Sequence, residues 1–207
     1  MNVKIFNENK TYPFLVVDDW YTSEEEKIVW KELDYFYSLD VFHSAQENCA
    51  ETSDGEKLAK NNRLNYDVIF KDLRYSYINK MMYKFQNSNF HSIVEQAMTI
   101  GKTFKNTNWG NTMINYYENN DFYKSHYDYA RFTMLIWFYK LPKKFVGGDL
   151  YLDESDITVD CKHNRMILFP GHYNHKVNEI VMNKEHLNNM NGRFSITHFF
   201  DIRYEDI

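Results

Sequence analysis

The chain has 207 residues, 43% apolar, 26% charged and 18% aromatic, with a formal net charge of −5. Seven Gly and three Pro against 17 Tyr, 16 Phe and 4 Trp exclude collagen-like, Pro-rich and disordered chains. The length suits one large domain or two small ones, and the acidic balance disfavours a dedicated nucleic-acid binder. No apolar run approaches the roughly 18 residues of a membrane span. The opening Met1-Asn2-Val3-Lys4-Ile5-Phe6 lacks an apolar core and a small-residue cleavage site, so no signal peptide is expected. Two cysteines, Cys49 and Cys161, make no disulfide framework and agree with a cytoplasmic setting.

Pro13–Val17 reads as a short buried strand ended by Asp18-Asp19. Thr22 with Glu24, Glu25 and Glu26 behind it is a helix start, and Val29, Leu33, Phe36 and Tyr37 recur at helical spacing. Ser44–Asn62 is polar and poor in large apolar groups, which predicts a long loop, in the role of a lid. Two amphipathic helices follow. One carries Tyr77, Ile78, Met81, Met82 and Phe85; the other carries Phe90, Ile93, Val94, Ala97 and Met98. From Asn111 the pattern becomes strands: Thr112–Tyr117, Phe132–Tyr139, Asp149–Leu152, Ile157–Cys161, Arg165–Phe169, Lys176–Val181 and Phe194–Asp201. Turn signals separate them at intervals typical of a sandwich or barrel. Helices first and strands later, with no repeat and no linker, make a single α+β domain over 1–207. Its expected parts are 1–110 (strand, helices and lid loop) and 111–207 (the strand core).

The chemistry gathers in the strand region. In an extended segment residues i and i+2 share a face, so His126 and Asp128 project a nitrogen and a carboxylate into one space. His175 stands at the mouth of a later strand. Two His and one carboxylate are the donor set of a non-haem Fe(II) site, with positions left open for co-substrate and oxygen. Arg193 and Ser195 share a face of the last strand, where a guanidinium fork and a hydroxyl can hold a carboxylate. Tyr127, Tyr129, Arg131 and Trp137 flank the ligands; as substrate-lining residues Tyr129, Arg131 and Trp137 are candidates, with ordinary packing the competing reading. His172 rivals His175. His43, His91, His163, His186 and His198 have no comparable partners and read as structural or solvated.

Several of these pieces occur in a fixed order. Tyr117-Glu118 precedes His126-x-Asp128, then come Arg131 and Thr133, Gly147-Gly148-Asp149-Leu150, Phe169-Pro170, His175-x-Val177 and Gly192-Arg193-x-Ser195. From about Met113 to Asp201 this resembles the prolyl 4-hydroxylase-like branch of the Fe(II)/2-oxoglutarate-dependent dioxygenases. The resemblance implies a double-stranded β-helix (jelly roll) with the N-terminal helices packed on its major sheet. It implies iron on His126, Asp128 and His175, and the 2-oxoglutarate C5 carboxylate on Arg193, assisted by Ser195 and Tyr117. It selects His175 over His172 by position after Phe169-Pro170. The implied activity is oxidative decarboxylation of 2-oxoglutarate to succinate and CO2, coupled through O2 to hydroxylation of an unactivated C–H bond, with ascorbate as an accessory reductant. Three departures stand out: an insertion at Asn183–Asn191, Asn120 where relatives carry Gly, and Trp137 where many carry Tyr.

The expected substrate is a prolyl residue in a peptide or protein, with a free amino acid or other small molecule as the alternative. Oxidative demethylation of nucleic acid ranks lower, because Phe199 stands where that branch carries a second Arg. A non-catalytic jelly-roll binding protein is the reading from another class. No membrane partner is expected. The Asn-rich composition is what codon bias yields in an AT-rich bacterial or phage genome, the latter placing the protein in a host cytoplasm.

Overall fold

The computed structural model describes residues 2–8 and 11–204. The chain opens with strands β1 (Asn2–Phe6) and β2 (Phe14–Asp18), helix α1 (Ser23–Ser38), and strands β3 (His43–Ser44), β4 (Ala59–Lys60) and β5 (Asn62–Asn65). Helices α2 (Tyr66–Ile69), α3 (Tyr77–Lys80) and α4 (Ser88–Ala97) follow, joined partly by 3₁₀ turns. The rest is strands: β6 (Trp109–Tyr117), β7 (Phe122–His126), β8 (Phe132–Phe138), β9 (Phe145–Val146) and β10 (Leu150–Leu152), then β11 (Ile157–Val159), β12 (Arg165–Pro170), β13 (His175–Val177), β14 (Val181–Met182) and β15 (Arg193–Asp201).

These strands build two main antiparallel sheets, the larger in the order β1-β2-β12-β8-β15-β6-β5-β3 and the smaller β11-β10-β13-β7-β4. The arrangement is a double-stranded β-helix carrying helices on one side. The alternation of β8 shows how the layers form. Phe132, Met134, Ile136 and Phe138 join Val29, Leu33, Phe36, Phe90 and Val94 in a core between sheet and helices. Leu135 and Trp137 point the other way, into a second core with Leu150, Leu152, Ile167, Phe169 and Val177. All seven residues of β8 are buried, because helices cover one face and the smaller sheet the other.

Helix α1 begins as its sequence dictates. Thr22 accepts from the Glu25 backbone N–H while the Glu25 side chain accepts from that of Thr22, a reciprocal capping box. Other expectations are corrected. Ser44–Asn62 is not a long loop: it contains a 3₁₀ turn at Ala45–Glu47, a bridge between Glu51 and Lys57, and strand β4. Cross-strand pairing supplies the order that its polar composition hides. The stripe from Tyr77 to Phe85 is one α-turn continued as 3₁₀ helix rather than one amphipathic α-helix. The single strand expected over Lys176–Val181 divides into β13 and β14, which belong to different sheets. Strand β1 carried no clear signal, since it is an edge strand held only by β2.

Strand β15 lies between β8 and β6 and pairs with both over most of its length. Ile196 is fully buried at its centre. Ile196→Ala is expected to lower unfolding free energy by about 2–5 kcal/mol in chemical denaturation; a loss below about 1 kcal/mol would remove β15 from its central role. His198, fully buried on the same strand, meets the Thr112 hydroxyl, and that hydroxyl donates onward to Asn79. Burial holds the His198 imidazole down to about 3. The unfolded chain takes up that proton near pH 6.5, so stability is expected to fall as pH drops below about 6.5. His198→Phe should flatten the dependence in urea titrations between pH 6.5 and 4; an unchanged slope would contradict it.

Candidate metal and anion site

β7 and β13 bring two histidines face to face. His126 ends β7, His175 begins β13, and the two are direct partners in the register. Their rings lie 4.3 Å apart between centroids. Asp128 follows two residues after His126, where its backbone N–H donates to Gly171 O at 2.8 Å. A side chain at Gly171 would put its Cβ 2.1 Å from the Ala130 carbonyl oxygen, so this close approach requires glycine. Asp128 Oδ1 stands 3.8 Å from His126 Nε2, and Oδ2 stands 3.6 Å from His175 Nε2. One donor atom from each of the three residues fits within 4.8 Å of the others.

The protonation states suit metal binding. The Nδ1 of each imidazole lies 2.9 Å from a backbone carbonyl, that of Lys124 for His126 and that of Tyr173 for His175. A carbonyl can only accept, so Nδ1 carries the hydrogen and Nε2 presents its lone pair towards Asp128. Burial, reinforced by neighbouring His175, holds the His126 imidazole down to about 4 against the upward pull of Asp128. At neutral pH it is therefore uncharged. Thr133, buried on β8, donates to Asp128 Oδ2 at 2.6 Å and fixes the carboxylate. Two imidazole Nε2 atoms and one oriented carboxylate on one side of an open space could hold a divalent cation and leave it accessible.

A second unusual group shares that space. Arg193 opens β15 opposite Tyr117 of β6 and is wholly buried. Its Nε, Nη1 and Nη2 have no hydrogen-bond partner among the described residues. The guanidinium carbon lies 4.9 Å from the Tyr117 ring centroid and 5.3 Å from that of Trp137. Gly148 makes room for it: at φ +75° its Cβ would come within 3.0 Å of Arg193 Cδ. Burial pushes the Tyr117 phenol up to about 12, opposed by the Arg193 charge. A buried guanidinium with three free donors and no acid has the chemistry of a carboxylate site. The residues thus fit both a divalent metal and an anionic co-substrate.

His126, Asp128, His175, Arg193, Ser195 and Tyr117 all line one cavity of about 780 Å³. Tyr127 and Tyr129 stand at its rim, Tyr129 being 92% exposed, with their rings 5.3 Å apart. Arg131 instead lies 3.7 Å from the Asp201 carboxylate, and Trp137 is enclosed beneath Arg193. His172 is exposed and stays outside the triad. The structure adds residues that sequence reasoning did not single out. Arg63, Asn115, Tyr123 and Thr197 also line the cavity, as do Asn48 and Cys49 of the segment expected to be a lid. The Tyr123 ring stacks on His126 at 3.6 Å between centroids. Arg63 carried no signal, because it sits in a polar run with no apolar periodicity.

Residues 112–201 match the family model described as the 2OG-Fe(II) oxygenase superfamily. Among solved structures, a Pseudomonas putida prolyl-4-hydroxylase aligns at TM-score 0.59 and 15% identity, covering 93% of this chain and 94% of its own. A Trichoplax adhaerens prolyl hydroxylase, solved with a hypoxia inducible factor oxygen degradation domain peptide fragment, aligns at 0.62 and 15% identity, with 92% and 84% covered. The viral collagen prolyl hydroxylase of Paramecium Bursaria Chlorella virus-1, solved as a 2OG complex, gives 0.54 and 10%, with 93% and 97% covered. No curated protein matches the chain in sequence.

Titration with Mn(II), followed by calorimetry or by the spectrum of the free ion, is expected to show one tight site per chain. Asp128→Ala should abolish it. Thr133→Val, which removes only the hydrogen bond to Asp128, should weaken it by about ten- to a hundredfold. Equal affinity in wild type and Asp128→Ala would move the metal site elsewhere.

Proposed function

We propose that this chain, whose residues 112–201 match the 2OG-Fe(II) oxygenase superfamily model, hydroxylates a prolyl residue of a peptide or protein. The cofactor of the family is Fe(II), with 2-oxoglutarate and O2 as co-substrates. The observation that carries the reading is one cavity holding both the His126, Asp128 and His175 cluster and the acid-free Arg193. A metal without an anion site, or the reverse, would fit many binding proteins. Both in one enclosed space fit a co-substrate that meets the metal at one end and a guanidinium at the other.

When bound, iron would let O2 act as the four-electron oxidant, two electrons coming from 2-oxoglutarate as it becomes succinate and CO2 and two from the C–H bond that becomes C–OH. His126, Asp128 and His175 would hold the metal, each offering one ligand atom to the same space. Thr133 keeps Asp128 in place by its hydrogen bond. Arg193 pairs with the distal carboxylate of the co-substrate, flanked by Ser195 and Tyr117. Tyr117 keeps its proton at neutral pH, because burial pushes its phenol up to about 12, so it acts there as a hydroxyl donor. Leu135 and Leu150 are the apolar wall that excludes water from this space. Asn48 and Cys49 line the cavity and take the role of the expected lid. The exposed pair Tyr127 and Tyr129 offers aromatic faces to a proline-containing segment, as aromatic-lined grooves do for extended peptides.

The Trichoplax relative was solved with a peptide, which supports a peptide substrate for this chain. Among the described residues no helix is long and apolar enough to cross a membrane.

Arg193→Met is expected to raise the 2-oxoglutarate concentration for half-maximal succinate formation by about tenfold or more, the value of a charge-assisted bidentate contact. Mn(II) affinity should stay unchanged. An unaltered 2-oxoglutarate requirement would refute the role of Arg193.

A further inference from the structure

Arg63 is the second buried guanidinium of the cavity. It stands on β5, only 4% exposed, across from Asn115 of β6. Its Nη1 donates to the backbone oxygen and to Oδ1 of Asn48, at 3.2 and 3.1 Å. Its Nε and Nη2 are buried and make no hydrogen bond among the described residues. Among the described residues, Arg74, Arg131 and Arg165 each meet a carboxylate, whereas Arg63 and Arg193 meet none. Long charged side chains are rarely buried this deeply without a counter-charge, because desolvation then goes uncompensated.

Position narrows the ligand. Arg63 stands on β5, separated from Arg193 on β15 by strand β6, and lines the cavity together with Tyr123, whose ring stacks on His126. Arg193 lies against Tyr117 and Trp137 instead. The charge balance of the interior points the same way. Among the described residues, Arg63 and Arg193 share the interior of the cavity with one carboxylate, Asp128, which leaves one guanidinium without a counter-charge. Fe(II) and the 2-oxoglutarate dianion bring equal and opposite charge, so that imbalance survives loading. The remaining acids stand at the mouth: Asp201 faces Arg131, and Asp67 is exposed.

We propose that Arg63 binds a carboxylate carried by the molecule to be hydroxylated, so that the substrate is an acid rather than a neutral prolyl segment. The inference rests on the oxygenase reading of the cavity and specifies its substrate class. The carboxylate has two sources: the α-carboxylate of the reacting residue itself, or an acidic side chain next to it in a peptide. The two free donors of Arg63 match the fork geometry of a carboxylate, and an amide in its place leaves the buried charge unbalanced.

The test uses protein loaded with Zn(II) and 2-oxoglutarate, which binds without turnover, titrated by calorimetry with matched pairs. N-acetylproline is compared with N-acetylprolinamide, and the blocked dipeptide Ac-Pro-Asp-NH2 with Ac-Pro-Asn-NH2. In the wild type the acid of at least one pair should bind about tenfold or more tighter. Preference in the first pair identifies the α-carboxylate; preference in the second identifies the side chain. Arg63→Met should erase the difference, Arg63→Lys should retain part of it, and 2-oxoglutarate affinity should be unchanged in both. Equal binding within both pairs of the wild type, or binding of none of the four, overturns the proposal, and neither result depends on any variant folding. Retained discrimination in Arg63→Met, or a loss of 2-oxoglutarate affinity like that expected of Arg193→Met, also overturns it. N-acetylvaline binding as well as N-acetylproline would sink the prolyl reading and leave the role of Arg63 standing.

Discussion

Arg193 places a guanidinium in the interior where, among the described residues, it has no hydrogen-bond partner, and the surrounding structure is arranged to tolerate it. Tyr117 and Trp137 offer aromatic faces to the guanidinium, and Gly148 leaves out the side chain that would collide with its stem. Strand β15, which carries it, is hydrogen-bonded on both edges. Such a charge persists in a folded protein when its ligand is a routine part of the working state. The desolvation that makes Arg193 costly without a ligand also makes its grip on a carboxylate strong.

The metal side depends on the same scaffold through a different route. His126 and His175 face each other because β7 and β13 are antiparallel neighbours in the smaller sheet. Asp128 reaches the pair because it lies two residues beyond the end of β7 with its backbone N–H pinned to the Gly171 carbonyl. Thr133, which orients Asp128, belongs to β8 in the larger sheet. The triad is therefore held from both sheets, by β7 and β13 of the smaller and by Thr133 of the larger, and its geometry depends on their packing. The helices contribute indirectly, by covering the outer face of β8 and β15 so that the inner face can be given over to chemistry.

Much of this arrangement was legible from local sequence. The i, i+2 spacing of His126 and Asp128, and of Arg193 and Ser195, carries over directly because strand geometry is periodic. The Thr22–Glu25 cap and the α4 stripe are equally local. Other features depend on contacts that no local pattern encodes. β8 is apolar at nearly every position, so alternation could not say that Trp137 faces inward beneath Arg193 rather than towards the rim. His172 and His175 looked alike by residue type, and the turn after Pro170 exposes the first while the β7 register buries the second. Arg63 was hidden for a related reason. Its strand is short and polar, its order comes from pairing with β6, and its significance comes from the absence of an acid that only the folded chain reveals.

The central claim is that the cavity couples a metal to the decarboxylation of a dicarboxylate. It is tested most directly by incubating the protein with Fe(II), 2-oxoglutarate labelled at C1 and ¹⁸O2, then measuring released CO2 and the mass of the succinate. The account predicts one labelled CO2 for each succinate, and one ¹⁸O atom in that succinate. Intact 2-oxoglutarate after incubation, or succinate without ¹⁸O, would contradict it.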